Sequence, residues 1–467
     1  MKDLIMRKKP TSSDVTKTGP SAVLRNLSSA IEQRLGPIEY RPLADVIPYA
    51  GNPRAHPEKQ IVQLMASICE FGFPMPLLVD VTGELICGHA RHEAAKRLGL
   101  EQVPVLVAQF WSKAQIKAYR LADNQLASAA SWDENLLRIE LTGIIELDEV
   151  PIEVLGWETG QIDVILDGAS LAEDDAADVI PEAPSDPVTR LDDIWVMGKH
   201  RLSCGSSLEA ECWSKLMAGK MGALSLNDPP WNVPVNGHVS STGRHQEFAM
   251  ASGEMTPEQF VEFNANWFAK SCAHLKDGAL VMAFMDHAHL FELMTAARQA
   301  RLKHLNLCVW AKTNGGMGSL YRSQHELVLV LKHGSAPHTN MVELGRHGRY
   351  RTNLWLCAGA NVFGATRDAD LAAHPTVKPV ALLAEAIRDV TRHGEIVTDA
   401  FSGSGSTILA CERTKRVGYA IEIEPRYVDV GVYRWEKMTG RQAVLEATGQ
   451  TFSEVAAERS VALPVAA

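Results

Sequence analysis

No two of the eight cysteines stand at metal-ligand spacing; they are scattered singly along the chain. That excludes a zinc knuckle and a disulfide framework, and free thiols fit a reducing, cytoplasmic setting. No uninterrupted apolar run is long enough to cross a bilayer, so no membrane span is expected. The first residues are basic (Lys2, Arg7, Lys8, Lys9), but no apolar stretch or cleavage site follows, so a signal peptide is not expected either. A Gly-Lys-Ser/Thr sequence is also missing, which excludes a P-loop for triphosphate. Net positive charge is absent: 46 Lys and Arg face 56 Asp and Glu, a balance of -10. Any nucleic-acid surface must therefore be local. What remains is an ordinary globular composition, and 467 residues are enough for two or three domains with cores of their own.

Taken in order, residues 1–35 form a polar, flexible lead-in. A small α/β domain is expected over 36–150. Within it His56–Phe71 carries Ile61, Leu64, Met65 and Ile68 at helical spacing. A second helix opens at Gly88 and closes at Gly99. Residues 151–190 are expected to be a helical end followed by an acidic linker. From Asp167 to Asp186 seven acids occur with no Lys or Arg, a composition that cannot make a core. Strands and helices then alternate over 191–445, which predicts a layered α/β sheet, and 446–467 is a tail.

Chemistry concentrates in three stretches of the larger domain. Leu224-Ser225-Leu226-Asn227 is a short apolar strand that runs into Asp228-Pro229-Pro230-Trp231. The prolines stiffen the strand end, the carboxylate can accept hydrogens from an amino group, and the indole can stack on a base. Arg301–Trp355 holds eight Lys and Arg against two acids, Glu326 and Glu343, with histidines and aromatics interleaved. That is the composition phosphate contact and base readout require, and it predicts a basic insert facing nucleic acid. Ile396–Asp399 is a buried strand that leads through Phe401-Ser402-Gly403-Ser404-Gly405 into a helix. The next strand, Val417–Ile423, contains Glu422 near its end. A glycine turn and an acid at these places suit a ligand with ribose and no phosphate, and S-adenosylmethionine is such a molecule.

Over about residues 37–130 the chain resembles the ParB-like N-terminal domain family, through Asn52-Pro53-Arg54 and the Gly88–Leu98 helix. In the family's Gly-Glu-Arg-Arg box His89 replaces the glutamate and Ala90 the first arginine, which leaves Arg91. The resemblance implies a nucleotide or DNA contact at Arg54 and Arg91. Residues 191 to about 440 resemble the amino-directed DNA methyltransferases of the permuted β class. The carriers are Asp228–Trp231, the basic stretch, His374-Pro375-Thr376-Val377-Lys378-Pro379, and Asp399–Thr407 followed by Gly418–Glu422. Ser206 and Ala400 depart from that family's usual Asp and Pro.

The second resemblance implies a Rossmann-like, S-adenosylmethionine-dependent domain that methylates an exocyclic amine of double-stranded DNA. N6 of adenine is favoured because the family's cytosine enzymes more often have Ser in place of Asp228. Asp228, Pro229, Pro230 and Trp231 would be catalytic. Lys378, Asp399, Phe401, Gly403, Gly405 and Glu422 would bind the cofactor, and no metal is implied. N4-cytosine methylation and a non-catalytic ParB-like DNA-binding adaptor are the rival readings. A homodimer is left open, and a stand-alone modification enzyme is expected over one paired with a restriction nuclease.

Overall fold

The computed structural model describes residues 35–128, 132–147, 149–167, 176–181, 183–233, 251, 253–312, 321–345, 351–357 and 378–461. The expected N-terminal lead-in, residues 168–175 and 182 of the Asp167–Asp186 run, and His374–Val377 lie outside the described residues. The chain divides into two compact units, Met1–Glu158 and Thr159–Ala467.

In the first unit β1 (Glu39–Pro42), β2 (Leu77–Val79), β3 (Leu85–Cys87) and β4 (Gln102–Val107) form one sheet, ordered β1-β4-β2-β3. Helices α1 (Glu58–Phe71) and α2 (His89–Arg97) pack together through Ile61, Leu64, Met65 and Ile68 against Ala90 and Ala94. α3 (Lys113–Ser128) and α4 (Glu134–Leu147) follow. Gly88 starts α2 at φ +100°, where a Cβ would stand 2.6 Å from Leu77 Cδ2, so only glycine fits that turn.

The second unit begins with α5 (Thr159–Asp167), then β5 (Ile194–Met197), β6 (His200–Cys204), α6 (Ala210–Met217) and β7 (Gly222–Asn227). After α7 (Pro257–Cys272) come β8 (Leu275–Met285), α8 (Leu290–Gln299), β9 (Lys303–Ala311), β10 (His325–Lys332) and β11 (Leu354–Leu356). The chain continues through α9 (Val380–Val390), β12 (Ile396–Asp399), α10 (Ser406–Thr414), β13 (Val417–Glu422) and α11 (Pro425–Thr439) to β14 (Val444–Leu445) and α12 (Phe452–Glu458). The ten strands form one sheet, ordered β11-β9-β10-β8-β7-β12-β13-β6-β5-β14. Its centre, β8-β7-β12-β13-β6, is parallel throughout.

Apolar residues alternate along these strands between two cores. Leu280, Met282 and Phe284 share one with α9, α10 and α11, whereas Val281, Ala283 and Met285 share the other with α6, α7 and α8. Helices on both faces of a parallel sheet make this a Rossmann-like, doubly wound unit. Strand β7 leads through α7 to β8 on one side, and β12 leads through α10 to β13 on the other. The order of connections reverses between β7 and β12, and in such sheets the crevice beyond the strand ends at that reversal receives ligands.

Two expectations need correcting. The basic stretch Arg301–Trp355 is not an insert, because β9, β10 and β11 belong to the central sheet. The alternation of Val328, Leu329, Val330 and Leu331 between the two cores forces this, and composition could not show it. Nor is the acidic stretch after the helical end a free linker. Arg416, fully buried, donates to both carboxylate oxygens of Asp163 on α5 at 2.8 and 3.0 Å. Asp178 accepts the Val380 amide at 2.8 Å and so caps α9, while Ile180 packs on Val430. One-signed charge predicts a solvated segment only when the partners are unknown.

Candidate functional site

The crevice is built from two strand ends that lie side by side. Asn227, last residue of β7, is buried, and its Oδ1 accepts the Ala400 amide at 3.0 Å just beyond β12. Its side-chain amide donates to Ser225 Oγ at 2.9 Å. The asparagine thus ties the two strand ends together, and Asp228 follows it on one side while Phe401 follows Ala400 on the other.

On the β12 side the backbone enters a tight turn. Gly403 and Gly405 sit at φ +51° and +84°, and a Cβ on Gly405 would press within 2.9 Å of Gly431 Cα. Glycine at 405 therefore lets α10 start close against α11. Asp399 accepts the Phe401 amide at 2.9 Å. Glu422, at the end of β13, accepts the Gly403 amide at 2.7 Å and the Glu424 amide at 2.9 Å. Burial pushes both acids up to about 7, against the pull of these hydrogen bonds. Phe401 is half-buried and meets Trp267 edge-on, with ring centroids 5.4 Å apart. Ser402 Oγ is buried with no hydrogen-bond partner, as an atom reserved for a ligand would be.

The group this turn fits is a nucleoside without phosphate. A carboxylate offers about four acceptor positions, so Glu422 keeps capacity for hydroxyl donors after its two backbone bonds. No Lys or Arg lies within the 399–407 turn to hold a phosphate.

On the β7 side stand Asp228, buried Pro229, and Pro230 and Trp231, both half-buried. Asn232 anchors the backbone at residues 253–255, accepting the amides of Gly253 and Met255 at 3.1 Å each and donating to Met255 O at 2.8 Å. The Trp231 ring nitrogen is buried and unpartnered. Lys378 Nζ donates to Asp228 Oδ2 at 2.5 Å and lies 5.1 Å from the Trp231 ring centre and 5.3 Å from that of Phe284. Lys378 therefore sits at the Asp228 pole. Composition alone did not reveal Glu326 and Lys312. Lys312 Nζ donates to Glu326 Oε1 at 2.5 Å, and Glu326 Oε2 lies 3.3 Å from Lys378. The charges alternate: Lys312, Glu326, Lys378, Asp228. Burial pushes Glu326 up, but the two lysines outweigh it and hold it below the ordinary glutamate value. Asp228 stands above the ordinary aspartate value because burial outweighs the pull of Lys378. The available signal was a single acid opening an otherwise apolar strand, His325-Glu326-Leu327-Val328-Leu329.

In the first unit the expected anion contacts are partly engaged within the protein. Arg91 donates to the carbonyls of Met75 and Pro76 at 2.5 and 3.4 Å, and Arg54 donates to Asn124 Oδ1 at 2.5 Å. The Arg91 guanidinium still flanks Gly88 at the mouth of α2, where His89 Nε2 is buried and unpartnered.

Among the described residues no group of His, Cys, Asp or Glu is arranged to hold a metal, and no helix is long and apolar enough to cross a membrane.

The chain matches three families: ParB N-terminal domain over 32–124, ParB-methyltransferase HTH domain over 135–191, and DNA methylase (N6/N4) over 223–432. The second spans α4, α5 and the acidic stretch. The ParB-like nuclease domain-containing protein YnaK of Escherichia coli (strain K12) is 49% identical over 70 residues, 15% of this chain and 80% of that protein. The type II methyltransferase M2.MboI of Moraxella bovis is 26% identical over 221 residues, 45% of this chain and 80% of that protein. A crystal structure of an M1.HpyAVI-SAM complex aligns over 50% of this chain and 97% of that one, at 18% identity and a TM-score of 0.38.

Proposed function

The chain belongs to the ParB-like family through its N-terminal unit and carries an N6/N4-family DNA methylase domain behind it, and from that premise we propose that it methylates N6 of adenine in double-stranded DNA. The observation that supports this most is the pairing of β7 with β12, which puts Asp228 and the Asp399–Gly405 turn at one crevice. S-adenosylmethionine, when bound, supplies a methyl group on a positively charged sulfur that leaves as a neutral thioether.

Glu422 and Asp399 would hold the donor's hydroxyl and amino hydrogens, with Ser402 Oγ and the Phe401 ring as further contacts. The target base leaves the duplex and stacks on Trp231. Its exocyclic amine is a weak nucleophile, because the lone pair is delocalised into the ring. Asp228 and the Pro229 carbonyl accept the two amine hydrogens and so favour a tetrahedral nitrogen facing the methyl carbon. The proton that the amine must lose would pass through Asp228 to water. Positioning and electrostatics account for the rate, and no covalent enzyme intermediate is needed.

Asp228 favours adenine over cytosine, and nucleoside mass spectrometry of DNA treated in vitro tests it. N6-methyladenine is expected, and N4-methylcytosine in its place would correct the base. Asp228→Ala should leave donor binding intact by calorimetry and reduce transfer by about 1,000-fold or more. Undiminished transfer by that variant would remove Asp228 from the mechanism. In the N-terminal unit Arg91 and Arg54 are assigned an anionic contact, to nucleotide or DNA phosphate, at the mouth of α2. The cytoplasm is the proposed setting, consistent with the eight cysteines, none of which is paired.

A further inference from the structure

Asp228 faces a conflict in this structure. Its Oδ2 is taken by the Lys378 ammonium at 2.5 Å, and the same ammonium lies over the Trp231 indole at 5.1 Å. Both features that the target base needs, the acceptor and the stacking face, are thus engaged by one cation. Lys378 is almost fully buried, with a side chain 4% exposed, so it cannot withdraw its charge into water when the base enters. It needs a second anion within reach.

Glu326 supplies that anion. It projects from β10, two strands away from β7, and its side chain is 9% exposed. Oε1 is held by Lys312 at 2.5 Å. Oε2 is 3.3 Å from Lys378 Nζ, within ion-pair range but not aligned as a hydrogen bond. An ammonium has three donors and a carboxylate oxygen two lone pairs, so a small movement of Nζ exchanges the short Asp228 bond for a short Glu326 bond. The charge stays paired throughout.

We propose that Glu326 is a positioning residue for methyl transfer, the carboxylate onto which Lys378 shifts when the target amine takes Asp228. Lys312 keeps Glu326 ionised for this purpose and fixes its orientation. With the ammonium drawn to Glu326, Asp228 presents both oxygens to the amine while Lys378 remains close enough to keep it ionised. The inference rests on the methyltransferase reading and adds a residue that the sequence motifs do not contain.

Glu326→Gln tests it, because the amide keeps the shape of the side chain and removes the charge. Single-turnover methyl transfer should slow by roughly 100-fold, the cost of a misplaced reacting group, with donor affinity by calorimetry unchanged. The pH profile should also change. Burial opposes the Lys378 charge, but Asp228 and Glu326 outweigh it and hold the ammonium above its ordinary pKa. With Glu326 neutralised one of those two supports is lost. The rate of the variant should then climb at alkaline pH, as Lys378 deprotonates more readily than in the wild type and releases Asp228, over a range where the wild-type rate is flat. Glu326→Asp should restore most of the neutral-pH rate, and if the glutamine variant does not fold, Lys312→Met, which removes the partner that keeps Glu326 ionised, should slow transfer in the same direction. A wild-type rate in Glu326→Gln overturns the proposal, and so does a uniform loss with the wild-type pH profile. A wild-type protein that methylates neither adenine nor cytosine overturns the methyltransferase reading and this inference with it.

Discussion

Burial raises Asp399 and Glu422 together to about 7, from ordinary values of 3.8 and 4.5. A folded-state pKa above the unfolded one means that the folded chain binds protons more tightly. The stability these acids contribute is therefore full below about pH 4 and is lost as pH rises through about 7. With Asp399 and Glu422 in their proposed roles, donor binding has the opposite dependence, because hydroxyl donors and a positive sulfur favour the ionised acids. Binding should release protons below pH 7, and affinity should rise up to about tenfold per pH unit for each acid before levelling off above 7. Calorimetry in two buffers of different ionisation enthalpy measures the released protons directly, and Asp399→Asn should reduce them. Asp228 and the glycines at 403 and 405 were legible in the sequence because their signals are local: two prolines after a strand, two glycines before a helix. Glu326 and Lys312 were not, because each acquires its role from residues on other strands that no spacing rule connects to it.

At the scale of elements, α5 and the acidic stretch show how composition can mislead. Asp163 is separated from Arg416 by 253 positions, and no local pattern in either segment signals the other. Arg416 also donates to the carbonyls of Thr391 and Thr414, at 2.7 and 2.6 Å, so one guanidinium joins α5 to the ends of α9 and α10. Arg416→Met would leave Asp163 buried with His393 as its remaining ionic partner among the described residues. The expected loss is about 3–5 kcal/mol of unfolding free energy, measured by urea denaturation. Asp178 has a different consequence. It caps α9 at Val380, two residues after Lys378, so an acid that composition assigned to a linker anchors the start of the helix that follows a site lysine.

At the scale of the whole molecule the alternation of strands and helices was enough to predict an α/β sheet, and the order of the motifs placed both poles at strand ends. The boundary between the units was less legible, because the charge run that suggested residue 191 conceals contacts made before it. Two truncations separate these views. A chain beginning at Thr159 should fold and bind S-adenosylmethionine, whereas one beginning at Leu191 loses Asp163, Asp178 and the Val188 and Thr189 amides that Asp429 accepts. The shorter chain should melt well below the longer one in a thermal-unfolding comparison, and equal melting points would restore the linker reading.

The bond between Asn227 and the Ala400 amide spans 173 positions. Pairings of that range form late, because a long loop must close before any contact offsets its entropy. On the ribosome β7 and Asp228 emerge with no neighbour on the β12 side, and Glu422 comes out nearly two hundred residues after them. A growing chain can complete its N-terminal sheet, whose strands all lie before residue 108, long before the crevice exists. The first unit can thus be complete before any methyl-transfer site exists, and translation itself sets the order in which the two units are finished.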